Sequence, residues 1–210
     1  MMKILLVDDH ELLRRGLKQL LAEEFIQAQF AEASRVPEAR ELLARGDWSL
    51  VLLDINLPGG SGLELLAEVK KLCPAAAVLV LSSYPEEEFA MRALKLGAAG
   101  YLTKAGAAEE LLTAVKKVLA GGKYVSAALA ENLASALGNP TAELPHEALS
   151  PREMEVLRRV ATGQTIKAIA AELSLSEKTI GTYRSRISEK LKLSTNVELA
   201  RYALQNRLVE

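Results

Sequence analysis

The sequence predicts two modules of different class. Residues 1–122 read as an α/β doubly wound domain with a parallel five-stranded sheet, residues 123–147 as a linker, and residues 148–210 as a second, all-α domain. Three observations carry this. The first 122 residues alternate apolar runs of strand length with amphipathic helical stretches, five times over. The last 63 carry helix signals only. The charge divides in the same place: 14 Lys/Arg against 17 Asp/Glu in 1–122, 1 against 3 in 123–147, and 11 against 7 in 148–210. A front of net −3 and a back of net +4 suit two modules, the second facing a polyanion.

The first strand is residues 3–7 (KILLV), followed by a helix over 10–24 with Leu12, Leu13, Leu17, Leu20 and Leu21 at helical spacing. A weaker strand is expected over 27–32, then a helix over 36–45 with Pro37 in its first turn. Residues 49–53 (SLVLL) are the central strand; Pro58, Gly59, Gly60 and Gly62 mark a tight loop before a helix over 63–71. A strand over 77–81 ends at Ser82, and Glu86, Glu87 and Glu88 suit the positive end of a helix over 86–96. Residues 100–103 (GYLT) are the fifth strand and 107–120 the fifth helix. Right-handed crossovers place helices on both faces, and 2-1-3-4-5 is the usual strand order for a doubly wound domain of this size. Residues 127–137 suit a short helix, and 138–147, with Gly138, Asn139, Pro140 and Pro145, a tether. In the tail, Ser150-Pro151-Arg152-Glu153 opens a helix with a capping box that Gly163 ends. Residues 166–173 form a second helix, Ser174-Leu175-Ser176 a tight turn, 177–191 a third helix and 196–206 a fourth. A short helix, a three-residue turn and a basic helix match a helix-turn-helix.

Composition narrows the setting. The single cysteine, Cys73, excludes an intrachain disulfide and reads as a packed thiol. The N-terminus lacks a signal peptide's apolar length, and no run approaches the ~20 apolar residues of a membrane span. A cytoplasmic protein is expected, with no membrane partner.

The chemistry gathers at strand ends. Asp8 and Asp9 follow the first strand, Asp54 the third, Ser82 the fourth and Lys104 the fifth. Ligands of open parallel sheets bind at those carboxyl ends. Taken singly, each has a bland reading: an Asp pair as a helix cap, a solvated Lys, a turn-forming Ser. Together they favour function. Three carboxylates in one crevice call for a cation, and Mg²⁺, which takes oxygen ligands and keeps several waters, suits them. Asp54 is the best candidate to react: an aspartate can attack a phosphoryl donor and hold the group as an acyl phosphate. Lys104 and the metal would balance the phosphoryl oxygens, and Ser82 can donate a hydroxyl to them.

These residues resemble the receiver domain of a two-component response regulator: Val7-Asp8-Asp9, Asp54 with Pro58 and Gly62, Ser82, and Gly100-Tyr101 before Lys104. The resemblance implies that Asp54 is the phospho-acceptor. It implies Mg²⁺ held by Asp9, Asp54 and the Asn56 carbonyl, with Asp8 acting through water. Ser82 and Tyr101 would be a switch pair, the Tyr101 ring entering space that Ser82 vacates, and Lys104 would contact the phosphoryl group. Ala105 departs from the family, many members of which have proline after the lysine.

In the tail, Ile180, Ile187 and Leu191 share the face that anchors the third helix, while Lys178, Thr182, Ser185 and Arg186 project from the other side. A helix fits the major groove, where Ser and Thr meet bases or phosphates and Lys and Arg reach phosphates or guanine. Lys167 opens the preceding helix within reach of a phosphate, and a solvated basic face is the bland alternative. Leu149-Ser150-Pro151-Arg152-Glu153, Gly163, Lys167-x-Ile169-Ala170, Leu173, Ser176-x-Lys178-Thr179-Ile180 and Lys190-Leu191 resemble the LuxR-type helix-turn-helix. The whole chain is thus similar to the NarL/FixJ-type regulators. The resemblance adds Thr179 to the DNA-facing set and implies pairing through the last helix, where Val197, Arg201 and Leu204 are the candidates. Gly181 departs, standing where many members place a DNA-contacting lysine. The implied partners are a sensor histidine kinase, double-stranded promoter DNA, a second copy of the chain when phosphorylated, and RNA polymerase. The expected role is a phosphorylation-dependent switch of transcription, not a metabolic enzyme. Rival readings are a constitutive DNA-binding protein with an inert receiver and a free-standing metal phosphotransferase.

Overall fold

The computed structural model describes residues 1–127, 129–131 and 144–209. The chain divides into two compact units, Met1–Thr141 and Ala142–Glu210. In the first, the strands are β1 (Lys3–Val7), β2 (Gln29–Ala33), β3 (Leu50–Asp54), β4 (Ala77–Ser82) and β5 (Gly100–Thr103). They are parallel, in the order β2-β1-β3-β4-β5 that the sequence predicts. The connecting helices are α1 (Glu11–Glu24), α2 (Val36–Leu43), α3 (Gly62–Leu72) and α4 (Glu86–Lys95), and α5 (Ala107–Leu119) follows the last strand. All five residues of β3 are buried, as a central strand covered on both faces requires.

The bounds of β2 and α2 differ from expectation for local reasons. β2 begins at Gln29 because Lys3 pairs with Gln29, while Ala28 N–H is spent on a turn to Phe25 O at 2.9 Å. α2 stops at Leu43, where Arg45 N–H turns back to Leu42 O at 3.1 Å and the Trp48 indole N–H donates to that same carbonyl at 3.2 Å. The helix expected over 127–137 and the tether over 138–147 fall largely outside the described residues. Past α5 the chain returns to the sheet: Tyr124 N–H donates to Ala99 O at 2.9 Å and Tyr101 N–H to Tyr124 O at 3.3 Å.

Among its described residues the second unit holds a 3₁₀ turn (Pro145–Ala148) and four helices: α6 (Pro151–Ala161), α7 (Ile166–Glu172), α8 (Glu177–Leu191) and α9 (Asn196–Gln205). The capping box at Ser150 and Glu153 is formed, and Gly163 ends the first helix at φ 83°. The α7–α8 turn places Ser174 at φ 53°, a left-handed conformation that only a tight turn demands of serine. Glu153, only 2% exposed, does more than cap. Its Oε2 accepts from Ser150 N–H at 2.7 Å and from Lys190 Nζ at 2.6 Å, joining the start of α6 to the end of α8. Removing one member of a buried ion pair costs roughly 3–5 kcal/mol. Lys190 keeps 31% of its side-chain exposure and can rehydrate. Glu153→Ala is therefore expected to destabilise this unit by about 2–3 kcal/mol, read from its transition in a thermal melt of the full chain.

Candidate functional site

Register assembles the site. Val7 pairs with Leu53, so Asp8, the next residue, stands beside Asp54; Asp54 in turn pairs with Leu81, and Ser82 with Thr103. Asp8 N–H donates to Ala33 O at 3.1 Å and Lys104 N–H to Ser82 O at 2.7 Å, so the ladder holds both residues just beyond their strands. Asp54 closes β3 from within the strand, one residue later than the sequence suggests for its end.

The Lys104 ammonium sits between two carboxylates, 2.7 Å from Asp8 Oδ2 and 2.7 Å from Asp54 Oδ2. Asp54 is 1% exposed, and its Oδ1 accepts from Asn56 N–H at 2.8 Å. Burial pushes its carboxyl up to about 6, against the opposing pull of Lys104. Burial also works against the Lys104 charge, but Asp54 and Asp8 outweigh it and hold the ammonium above its ordinary range. One ammonium thus serves two buried acids, and the surplus is negative.

Asp8, Asp9, His10 and Asp54 each bring one possible ligand atom, all within 4.8 Å of one another. Asp8 Oδ2 and Asp9 Oδ1 are buried atoms that make no hydrogen bond of good geometry; their neighbours are Lys104 Nζ at 2.7 Å and His10 Nδ1 at 2.8 Å. The Asn56 Oδ1 is buried and unbonded among the described residues. Carboxylate oxygens facing one point without aligned donors are what a divalent cation fits.

Ser82 is fully buried, its Oγ accepting from Tyr84 N–H at 3.0 Å. Tyr101 is also fully buried; its hydroxyl donates to Tyr84 O at 3.1 Å, and burial holds it well above the ordinary phenol range. Tyr101 is thus buried while Ser82 keeps its own bond, and both residues meet at the Tyr84 backbone. The bond from Lys104 to Ala105 is trans, as are all peptides among the described residues.

In the second unit, Ile180, Ile187 and Leu191 bury one face of α8. Lys178, Thr182, Ser185 and Arg186 are exposed, Thr179 is half-buried, and Lys167 is exposed at the start of α7. The Thr182 hydroxyl donates to Lys178 O and the Ser185 hydroxyl to Gly181 O, each at 3.0 Å, which leaves both oxygens able to accept a further hydrogen bond. Arg184 is engaged elsewhere, with Asn196 Oδ1 at 3.0 Å and Ser194 O at 2.9 Å. A Cβ at Gly181 would meet nothing within 4 Å, so space does not impose that glycine. On α9, Leu199 and Ala203 are buried, while Val197, Arg201 and Leu204 are exposed.

Two residues of the first site escaped the sequence reading. His10 touches both carboxylates of the pair, with Nδ1 3.1 Å from Asp8 Oδ1 and 2.8 Å from Asp9 Oδ1. Its adjacency to Asp9 was the available signal. Arg14 donates to the Asp8 carbonyl at 2.6 Å and to Glu32 Oε2 at 3.0 Å, clamping the acid loop to β2. Helical periodicity gives no sign of that contact.

Comparison with known proteins agrees with this geometry. The response regulator receiver domain family matches residues 4–116, and the family described as bacterial regulatory proteins, luxR family, matches residues 147–203. Response regulator GacA of Pseudomonas protegens is 36% identical over 215 residues, covering 100% of this chain and 99% of its own. Response regulator UvrY of Escherichia coli is 32% identical over 209 residues, covering 99% and 96%. Among solved structures, RcsB of Salmonella enterica serovar Typhimurium, bound to promoter P1flhDC in the presence of the phosphomimetic BeF3−, is 26% identical with a TM-score of 0.59, covering 96% of this chain and 97% of that one. With both families matched in order along one chain, and relatives aligned over nearly its whole length, this protein belongs to the two-component response regulators of the NarL/FixJ type, DNA-binding regulators of transcription built from a receiver domain and a LuxR-type helix-turn-helix.

Proposed function

We propose that Asp54 accepts a phosphoryl group from a sensor histidine kinase and that the acyl phosphate switches pairing and promoter binding. The Asp54 carboxylate attacks phosphorus, the P–N bond of the phosphohistidine breaks, and the leaving imidazole takes up a proton. Asp8, Asp9, Asp54 and the Asn56 carbonyl would hold Mg²⁺, which supplies charge neutralisation at the phosphoryl oxygens. Lys104 follows the charge from the carboxylate to the phosphoryl group, and the Ser82 hydroxyl turns from Tyr84 N–H to donate to the new oxygens. Releasing Tyr84 frees the partner of the Tyr101 hydroxyl, which couples the site to the start of α4. The acyl phosphate carries roughly −1.5 to −2 charges where the carboxylate carried −1, and its oxygens accept several charge-assisted hydrogen bonds.

The observation that carries this reading is the Lys104 ammonium shared at 2.7 Å by Asp8 and the buried Asp54. The test is incubation with Mg²⁺ and a small acyl-phosphate donor. One hydroxylamine-labile phosphoryl group per chain is expected by intact mass; no incorporation would overturn the assignment.

In this reading residues 1–122 are the receiver, 123–147 the linker and 148–210 the DNA-binding domain, in a cytoplasmic switch that is no metabolic enzyme. Lys167, Lys178, Thr179, Thr182, Ser185 and Arg186 meet duplex DNA. Val197 and Leu204, 78% and 55% exposed, flank Arg201 on one face of α9 and pair with a second copy. Two recognition helices then reach half-sites about one turn apart, roughly 34–36 Å. If Lys178 contacts a phosphate, Lys178→Ala weakens binding across all sequences and flattens the log–log salt slope by about 1. If Arg186 reads a guanine, Arg186→Ala costs roughly 1–3 kcal/mol and relaxes preference at that base. Titrations at several salt concentrations measure both.

A further inference from the structure

We propose that Arg184 is a positioning residue for DNA binding: by tying the recognition helix α8 to the start of α9, it sets the distance and angle at which two paired copies present their recognition helices, and so the half-site spacing that the protein accepts. This rests on the reading of α9 as the pairing helix.

The arginine stands where the helix pattern asks for an apolar side chain. Ile180, Ile187 and Leu191 form the buried row of α8, and position 184 falls within that row, one turn after Ile180 and one turn before Ile187. Arg184 is half-buried there, while its neighbours Ser185 and Arg186 are exposed. An arginine is rarely withdrawn from water unless its planar fork is used. Here the fork is used: Nε donates to Asn196 Oδ1 at 3.0 Å and Nη2 to Ser194 O at 2.9 Å. Both partners belong to the start of α9. Thr195 is the N-cap of that helix and closes a capping box with Glu198. Ser194 N–H joins the box by donating to Glu198 Oε2 at 2.9 Å. Ser194 is therefore held at its N–H by α9 and at its carbonyl by α8.

The tie matters because α8 and α9 each pack on α6. Apolar packing on a shared support is non-directional and lets one helix turn relative to the other. Two donors at fixed angles resist that turn. The exposed Val197, Arg201 and Leu204 lie on α9, and the exposed Thr182, Ser185 and Arg186 on α8, so the angle between the helices relates the pairing face to the reading face. In a two-fold pair both copies carry any change in that angle, and its effect at the DNA is doubled. One extra base pair between half-sites displaces them by roughly 3.4 Å and turns them by about 34–36°. A pair tells such spacings apart only when the angle is held.

The test is selection by the full chain, with Mg²⁺ and an acyl-phosphate donor, from a pool of random-sequence duplexes; the recovered sequences give the half-site motif and the spacing separately. The wild type should recover one spacing. Arg184→Leu should recover the same motif over several neighbouring spacings, with the preference for the best spacing over the next reduced by about tenfold, as loss of hydrogen bonds from a charged group implies. Arg184→Lys, a point donor in place of a fork, should fall between the two. Leucine completes the apolar row, so the melting temperature should hold and loss of spacing cannot be loss of fold. Asn196→Ala removes the Oδ1 acceptor from the other side and should broaden the spacing even where Arg184→Leu melts early. Spacing as sharp as wild type in both variants overturns the proposal. So does a changed motif, or uniform weakening at unchanged spacing with the log–log salt slope lowered by about 1, since either makes Arg184 a DNA contact. Isolated half-sites with the wild type, or a fixed spacing that survives Val197→Glu, would instead strike the reading of α9 as the pairing helix, and the proposal with it.

Discussion

Asp54→Asn is expected to abolish phosphoryl uptake while raising the melting temperature of the metal-free protein at neutral pH. The first effect follows from chemistry: an amide offers no anionic oxygen to attack phosphorus. The second follows from burial. The folded carboxyl titrates at about 6 against an ordinary 3.8, so at pH 7 the fold carries the anion at a penalty. Two units correspond to roughly 3 kcal/mol. The amide keeps the acceptor for Asn56 N–H, but its NH₂ can come to face Lys104, which returns part of the gain; Lys104 retains Asp8. A net gain of about 1–2 kcal/mol is expected, or a few degrees for a chain of this size. The sign with pH is definite. A raised carboxyl stabilises the folded state fully below its unfolded value, and that contribution is lost as pH rises through about 6. The gap between variant and wild type should therefore be open at pH 7 and close as pH falls towards 4. Calorimetry in chelator across that range measures it; a variant less stable than wild type at pH 7 would show that the Lys104–Asp54 pair repays its own burial.

The same residues show how far the sequence could be read. Strands 1, 3, 4 and 5 were legible because both faces of a covered parallel strand are apolar, and Asp8, Asp54, Ser82 and Lys104 were legible because they stop those runs. β2 was less so: QFAEA has no continuous apolar run, and its first residue is set by pairing with Lys3. Helix starts in the tail were visible in Ser150 and Ser176, both of which cap; the capping box of Thr195 and Glu198 at the start of α9 went unread. Contacts made at right angles to the periodicity were not. The position of His10 against the carboxylates depends on a side-chain rotamer, the Arg14 clamp on the spacing of α1 from β2, and the buried state of Tyr101 on packing around Tyr84. Nor does composition reveal that Lys123, Tyr124 and Ser126 are tied to the first unit, by bonds to Ala98 O, Ala99 O and Glu86.

Glycine-to-alanine exchange should have opposite signs at Gly62 and Gly16. Gly62 opens α3 directly against the turn that follows β3. A Cβ built there would stand 2.4 Å from Ile55 Cα, 2.5 Å from Asp54 O and 2.8 Å from Ile55 C. All three are main-chain atoms, so no flexible side chain can yield. The Gly62 N–H donates to Ile55 O at 3.2 Å, and this close approach presses the turn into shape. Relief of the clash must move either α3 or the Asp54–Asn56 backbone, and overpacking of this kind costs about 3 kcal/mol. The displaced turn carries Asn56, whose N–H holds Asp54 Oδ1 at 2.8 Å, so phosphoryl uptake should slow as well as stability fall. Gly16 lies within α1 with nothing within 4 Å of its missing Cβ. Gly16→Ala therefore gains helix propensity, and about 0.5–1 kcal/mol of stability, with labelling unchanged. Denaturant melts and phosphodonor labelling of the two variants separate the cases. Equal stability of Gly62→Ala and wild type would mean that α3 and the acceptor turn can part without loss, and that the close approach at Gly62 does not position Asp54.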